Sequence, residues 1–301
     1  MEVKPVVGAL IALAALQSAQ FRAGVEAVRV DVLVVDGRKP VTGLTADDFQ
    51  LRDNGVVQRI DSVAISDVPI SMMIALDTSQ SVAGHVLREL KEGVSDAVAA
   101  LRPVDRAALI SFSSDVRLTM DWAGTMEGVP NALSRLRAGG STSLWDATFA
   151  ALTFSDDTPG IRRLVLIFSD GDDTSSWLPR DAVREKARRT DAVIYGVEMR
   201  DVYTRNISAL HNRSGIESFN NVLPDDSPFL EEVADATGGS RFRITDAADL
   251  RKAFSRILIE FRTRYLITYT AQGVDQTGWH ALDVKLKTKH GKVTARRGYM
   301  R

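Results

Sequence analysis

The feature that most constrains this chain is an unbroken apolar run, Met72-Met73-Ile74-Ala75-Leu76, that stops at Asp77 and is followed by Ser79 and Ser81 at two-residue steps. A run without alternation reads as a strand buried on both faces, which requires a sheet covered on each side. The loop after it is crowded with oxygens, and in an open α/β sheet ligands bind beyond the carboxyl ends of the strands. One carboxylate and two hydroxyls are hard ligands, suited to Mg²⁺, Mn²⁺ or Ca²⁺ rather than zinc or copper. Taken alone, D-x-S-x-S reads equally well as a polar turn capping the next helix.

Two later segments extend the pattern. Leu164–Asp170 (L-V-L-I-F-S-D) is a second buried-strand run ending in a carboxylate, followed by Gly171, Asp172 and Asp173. Between the two lies Gly139-Gly140-Ser141-Thr142-Ser143, a glycine-rich turn opening a helix near Leu144. Two strand-end aspartates and a hydroxyl-rich turn converging at one sheet edge would make a cation site. Here the sequence resembles the von Willebrand factor type A domain and its metal-ion-dependent adhesion site. The family pattern is D-x-S-x-S, then a Thr in a turn, then an Asp closing a hydrophobic strand. Asp77, Ser79, Ser81, Thr142 and Asp170 fill its five positions.

The resemblance implies a Rossmann-like α/β fold with a mostly parallel, doubly wound sheet and one antiparallel edge strand. It also implies a bound Mg²⁺ (Mn²⁺ and Ca²⁺ also fit) that engages an Asp or Glu of a protein partner. In the family's liganded form the two Ser and the Thr touch the metal while the Asp residues act largely through water. The domain's last helix, here Ala247–Arg262, shifts when an acidic ligand arrives. That helix runs into Phe261-Arg262-Thr263-Arg264 without Gly or Pro, so a shift would reach the strand at Tyr265; a rigid pad is the alternative.

Charges nearly cancel, with 38 basic and 39 acidic residues among 301, so no whole-chain field is available to hold nucleic acid. Basic pairs occur at Arg162-Arg163, Arg188-Arg189 and Arg296-Arg297; each sits beside a predicted strand or helix end and reads as solvated surface. Cysteine is absent, which excludes disulfides, thiolate metal sites and a cysteine nucleophile. Lys4 followed by the apolar stretch Val6–Leu16 and small residues Ser18 and Ala19 reads as a signal peptide over residues 1–20, hence export. The stretch is short of the roughly 20 residues of a membrane span. Gln17 weakens the cleavage consensus, so an uncleaved anchor is the alternative, and with it the only lipid contact expected.

The remaining chain reads as residues 21–66 in β-strands, 67–262 as the α/β domain and 263–301 in β-strands again. In the first flank Val25–Val35 alternates, Leu44–Phe49 reads as a capped single turn, and Phe49–Arg52 and Val56–Ile65 read as a hairpin closed by Asp53-Asn54-Gly55. In the last flank the strands are Tyr265–Thr270, Trp279–Lys287 and Lys292–Arg297, with a turn at His290-Gly291. Each set can bury one face only against the other, so a single small β-sandwich interrupted by the α/β domain is predicted. Together these flanks resemble exported bacterial (acidobacterial-type) proteins with a VWFA-related domain, through Phe21–Val25, Val41–Phe49 and Arg296-Arg297-Gly298-Tyr299. Arg200–Ser227 is long and polar and reads as a functional loop.

Other residues near the site have two readings each. Asp146 orients a hydroxyl or simply favours a helix first turn. Asp172 and Asp173 hold a second cation or cap the following segment. Gln80 and Trp177 face a ligand or are ordinary exposed loop side chains, and the four histidines have no metal-ligand spacing. No G-x-S-x-G, Walker or dinucleotide motif occurs. Binding is therefore expected over catalysis, with a single-metal hydrolase or a ligand-free structural scaffold as the alternatives.

Overall fold

In chain order the first flank forms β1 (Val28–Asp36), β2 (Lys39–Pro40), β3 (Phe49–Asp53), β4 (Val56–Gln58) and β5 (Ile60–Ile65). The computed structural model describes residues 27–65, 67–122, 128–156, 158–199, 228–244, 247–287 and 290–301. Residues 1–20, read as a signal peptide, and residues 200–227, read as a functional loop, lie outside the described residues.

The expected single strand Val56–Ile65 is two strands in two sheets. Asn54 and Gly55, at φ 46° and 82°, close the β3–β4 hairpin as their sequence predicts. The chain then breaks at Arg59, and β5 pairs instead with β12 (Tyr265–Tyr269). Buried Gln58 fixes the crossing: its Nε2 donates to Gln272 O at 2.9 Å and its Oε1 accepts from Gln272 N–H at 2.9 Å. The expected capped turn is present as a 3₁₀ turn over Ala46–Asp48, where Thr45 N–H donates to Asp48 Oδ2 at 2.8 Å.

The central sheet comprises β6 (Ile70–Asp77), β7 (Arg106–Phe112), β8 (Val116–Met120), β9 (Arg162–Ser169), β10 (Val193–Met199) and β11 (Ser240–Ile244). Its order is β11-β10-β9-β6-β7-β8, parallel throughout except for the β7–β8 edge pair. Because β6 lies inside the sheet, every one of its residues is buried. Met72, Ile74 and Leu76 enter one core with α1 (His85–Ala99), α2 (Val129–Arg135) and α6 (Ala247–Arg262). Met73 and Ala75 enter the other with α3 (Leu144–Thr153), α4 (Arg180–Arg189) and α5 (Pro228–Thr237). Period-2 side-chain geometry thus splits one apolar run between two cores. Among the described residues no helix is long and apolar enough to cross a membrane.

After α6 come β12, β13 (Trp279–Leu286), β14 (Lys292–Ala295) and β15 (Gly298–Met300). The two flanks interleave: one sheet runs β14-β1-β12-β5 with β2 on β1, the other β15-β13-β3-β4. His290-Gly291 therefore links strands of different sheets rather than closing a hairpin, and β15 is a strand beyond those expected. A third core, with Val30, Val32, Phe49, Leu51, Tyr265, Ile267 and Tyr269, is shared by both sheets. Between them Asp53 accepts from Tyr269 Oη and Tyr299 Oη at 2.8 and 2.9 Å and bonds His280 Nδ1 at 2.8 Å. His280 is thus structural.

The flanking sheets abut the end of the central sheet where β9 and β11 begin. Arg264, fully buried, donates to Gly238 O at 2.5 Å and to Tyr195 Oη at 3.2 Å. Arg162, at the head of β9, pairs with Asp31 of β1 and lies over the Phe261 ring at 4.5 Å. The opposite end of the sheet, where β6 and β9 finish, is left to the loops that carry the five motif residues.

Candidate metal centre

Parallel pairing puts the carboxyl ends of β6 and β9 side by side, in register from Ile70↔Arg162 to Leu76↔Phe168. Asp77 is therefore delivered next to Ser169 and Asp170. Ser169 Oγ donates to Asp77 Oδ2 at 2.7 Å and stands 3.5 Å from Asp170 Oδ1, bridging the two carboxylates. Ser79 N–H donates to Asp77 Oδ1 at 2.8 Å, folding the loop back over the strand end. That turn brings the Ser79 and Ser81 hydroxyls within 2.8 Å of each other. Ser79 is buried and Ser81 exposed, so the hydroxyl pair leads from the strand end to the surface.

The glycine-rich turn is locked onto this loop by main-chain bonds. Gly139 N–H donates to Thr78 O and Gln80 N–H to Gly140 O, both at 2.9 Å. Gly140 has φ 83°, and a Cβ there would lie 2.6 Å from Ser114 Oγ, so both conformation and space require glycine. Thr142 follows; its N–H donates to Thr174 Oγ1 at 2.9 Å, and its carbonyl accepts from Thr174 and Ser175 N–H. Its backbone is thus fixed from the Asp170 side, while its hydroxyl takes no hydrogen bond among the described residues. Three segments distant in sequence, 77–81, 139–143 and 169–175, meet at one sheet edge.

The electrostatics distinguish this cluster from an ordinary polar turn. Burial, and then the charge of Asp170, push the Asp77 carboxyl up from 3.8 to about 6, against the lowering effect of its bonds from Ser79 and Ser169. Among the described residues neither Asp77 nor Asp170 forms a salt bridge. Two carboxylates with three hydroxyls, and no salt-bridged cation among the described residues, are an oxygen donor set that fits a hard divalent ion. No group of three or more His, Cys, Asp or Glu occurs among the described residues; hydroxyls would have to make up the coordination.

The neighbouring acids have other duties. Asp146 accepts from Trp177 and Leu178 N–H, both at 2.9 Å, and so holds the rim loop rather than a ligand hydroxyl. Asp173 accepts from Trp145 N–H at 3.0 Å and Ser176 Oγ at 2.5 Å. It caps the segment that follows it, as expected, accepting from Ser176 N–H at 3.3 Å as well, and it also reaches back in sequence to the first turn of α3. Trp177 is 92% exposed on that loop, and Gln80 is exposed beside Ser81. Sequence reasoning passed over Ser169 and Thr174. The only signal for Ser169 is its place before the strand-end aspartate, and none marks Thr174.

The sequence pattern of the von Willebrand factor type A domain matches residues 71–236. A UPF0353 protein of Mycobacterium bovis is 24% identical over 253 residues, spanning 79% of this chain and 68% of that protein. The structure is similar to a von Willebrand factor type A protein from Catenulispora acidiphila (TM-score 0.52, 14% identity, 89% of this chain and 75% of the other). It is also similar to proximal thread matrix protein 1 from the mussel byssus, solved with a zinc-occupied MIDAS motif (TM-score 0.51, 11% identity, 70% and 50%). At these identities the two structures speak to the fold.

Proposed function

The chain belongs to the von Willebrand factor type A domain family, and from that premise we propose that it is an exported, metal-dependent adhesion protein. Asp77, Ser79, Ser81, Thr142 and Asp170 would hold one divalent cation, Mg²⁺ by preference. When bound, the ion supplies a Lewis-acidic position that an Asp or Glu of a protein partner completes. The observation that carries this reading is the pair of adjacent carboxylates, Asp77 and Asp170, joined through Ser169 without a salt-bridged cation among the described residues. Such a pair is destabilising by itself and is relieved by a cation.

The chain's own residues do the positioning. Ser169 and the Ser79 N–H orient Asp77, the Ser79–Ser81 pair presents two hydroxyls, and Thr174 fixes the Thr142 backbone. We take the protein to be a binding module and not an enzyme. The nearby acids Asp146 and Asp173 are spent on backbone N–H groups and do not stand ready as a general base. The central sheet is read as doubly wound and the flanking sheets as one β-sandwich that carries it. The shared core around Phe49 and Tyr265 and the two cores on either face of β6 support that reading.

A pull-down from the source organism's exported proteins, run with Mg²⁺ and with EDTA, tests the function. A partner retained with Mg²⁺, released by EDTA and absent with Asp77→Ala is the expected result. Retention that ignores both EDTA and the substitution would refute metal-bridged adhesion.

A further inference from the structure

The three basic pairs expected to be scattered surface instead meet at one junction. Arg162 is buried against Asp31, while Arg163, Arg189 and Arg296 line a cavity of about 920 Å³ between the flanking sheets and the ends of α3 and α4. Arg29, Lys186 and Arg301 line it as well, with Asp191 as the single acidic side chain among the described residues. This cavity lies where β9 and β10 begin, at the opposite end of the central sheet from Asp77.

Its charge is poorly compensated. Arg163 pairs with Asp191 at 2.7 Å, and Arg189 with Glu185 at 2.8 Å. Among the described residues Arg296 bonds only carbonyls, Gly298 O at 2.7 Å and Arg188 O at 3.4 Å. Lys186 sits over the Phe149 ring. Among the described residues Arg29 and Arg301 make no salt bridge, and Arg163 Nε and Arg301 Nη1 are buried without a hydrogen-bond partner. The C-terminal dipole of α4 accounts for Lys186 and Arg189 in its last turn. It does not account for Arg29, Arg163, Arg296 and Arg301, which come from strands and the chain's last segment.

We propose that this cavity binds a small, multiply phosphorylated anion. Its volume is that of a small-molecule site, and planar guanidinium forks match phosphate oxygens in pairs. Charge density decides between phosphate and carboxylate. The lining side chains carry six positive charges against one negative. About three phosphate groups, at about −1.5 to −2 each, neutralise that excess in the available space, where carboxylates would be needed one per charge. Hydroxyls of Thr153, Ser155, Thr190 and Tyr299 on the same walls can donate to the remaining oxygens.

Isothermal titration of inorganic tripolyphosphate into the metal-depleted full chain tests the proposal. Micromolar binding is expected, weakened at least tenfold by the double substitution Arg29→Gln/Arg301→Gln and unchanged by Asp77→Ala. The double variant removes two side chains outside any salt bridge, so its melting temperature serves as the folding control. If it nevertheless unfolds, Lys186→Gln is titrated in its place, with weakening again expected. Absence of heat, an affinity indifferent to these substitutions, or equal affinity for a pentaglutamate peptide would each overturn the assignment. Loss of metal binding alone, with tripolyphosphate binding intact, would leave this site standing and remove only the metal-centre reading.

Discussion

The two ends of β6 carry buried carboxylates in opposite electrostatic surroundings. At its start, Ile70 N–H donates to Asp105 Oδ1 at 2.9 Å, and the same carboxylate takes Arg102 at 3.2 Å and Arg262 at 2.7 Å. Burial alone would raise the Asp105 pKa, but the bonds from Arg102, Arg262 and the two backbone N–H groups outweigh it and hold it below 3.8. At the strand's end Asp77 faces a second carboxylate and is pushed up to about 6. One strand thus shows a carboxylate that supports the fold and one that opposes it. A buried carboxylate without a counter-charge among the described residues is the kind of perturbed group that concentrates at functional sites, which supports the metal centre proposed at the second end.

The contrast can be broken by substitution, and the largest effect is expected at the structural end. Asp105→Ala leaves the Arg262 guanidinium and the Ile70 and Arg102 N–H groups without this partner, while the Arg102 guanidinium keeps Asp67 and Val68 O. It should cost about 3 kcal/mol, the lower range for breaking a buried pair, since both arginines are partly exposed. Urea unfolding reads this directly. A loss below about 1 kcal/mol would show that the Asp105 cluster is surface ornament and dissolve the comparison.

The second substitution should go the other way. In metal-free buffer at pH 7, Asp77→Asn is expected to stabilise the protein by about 1–2 kcal/mol. The full shift from 3.8 to about 6 corresponds to roughly 3 kcal/mol, and Asn forfeits part of it by giving up one acceptor. The pH dependence follows with opposite signs at the two ends. Asp77 has a raised folded pKa, so its contribution is present below 3.8 and is lost as pH rises through about 6. Asp105 has a lowered one, so its contribution is present above 3.8 and is lost as pH falls through its folded value. Melting curves of the metal-free protein should therefore decline between pH 4 and 7, and in Asp77→Asn this decline should flatten. An Asp77→Asn protein less stable than wild type at pH 7 would count against the charge conflict.

A smaller effect belongs to Ser169→Ala. Removing the 2.7 Å bond to Asp77 should raise the Asp77 pKa further and weaken cation affinity several-fold while costing about 1 kcal/mol of stability. Affinity equal to wild type would mean that Ser169 does not position the carboxylate.

Much of the central sheet was legible because its signals are local. Apolar runs such as Leu164–Phe168 read as strands buried on both faces, and α6 matches the helix expected over Ala247–Arg262 residue for residue. The meeting of segments 77–81, 139–143 and 169–175 at one sheet edge was legible from the order and types of the five motif residues. What escaped depends on partners distant in sequence. Nothing in Val56–Ile65 says that Arg59 separates two sheets, since the crossing is fixed by Gln58 bonding a residue 214 positions away. Gly298–Met300 is too short to read as a strand until β13 lies beside it. Arg162, Arg163 and Arg296 looked like solvated charge because their convergence exists only once the flanks close on the central domain.

The central claim, that the conflict at Asp77 is resolved by a divalent cation, is tested most directly by thermal unfolding with Mg²⁺ and with EDTA at pH 7.5, on wild type and Asp77→Asn in parallel. At a hundredfold excess over its dissociation constant the ion should add about 2.7 kcal/mol to wild type, raising its melting temperature by roughly 4–5 °C. Asp77→Asn should melt above wild type in EDTA and gain little from Mg²⁺. Equal Mg²⁺ shifts in the two proteins, or none in wild type, would contradict the account.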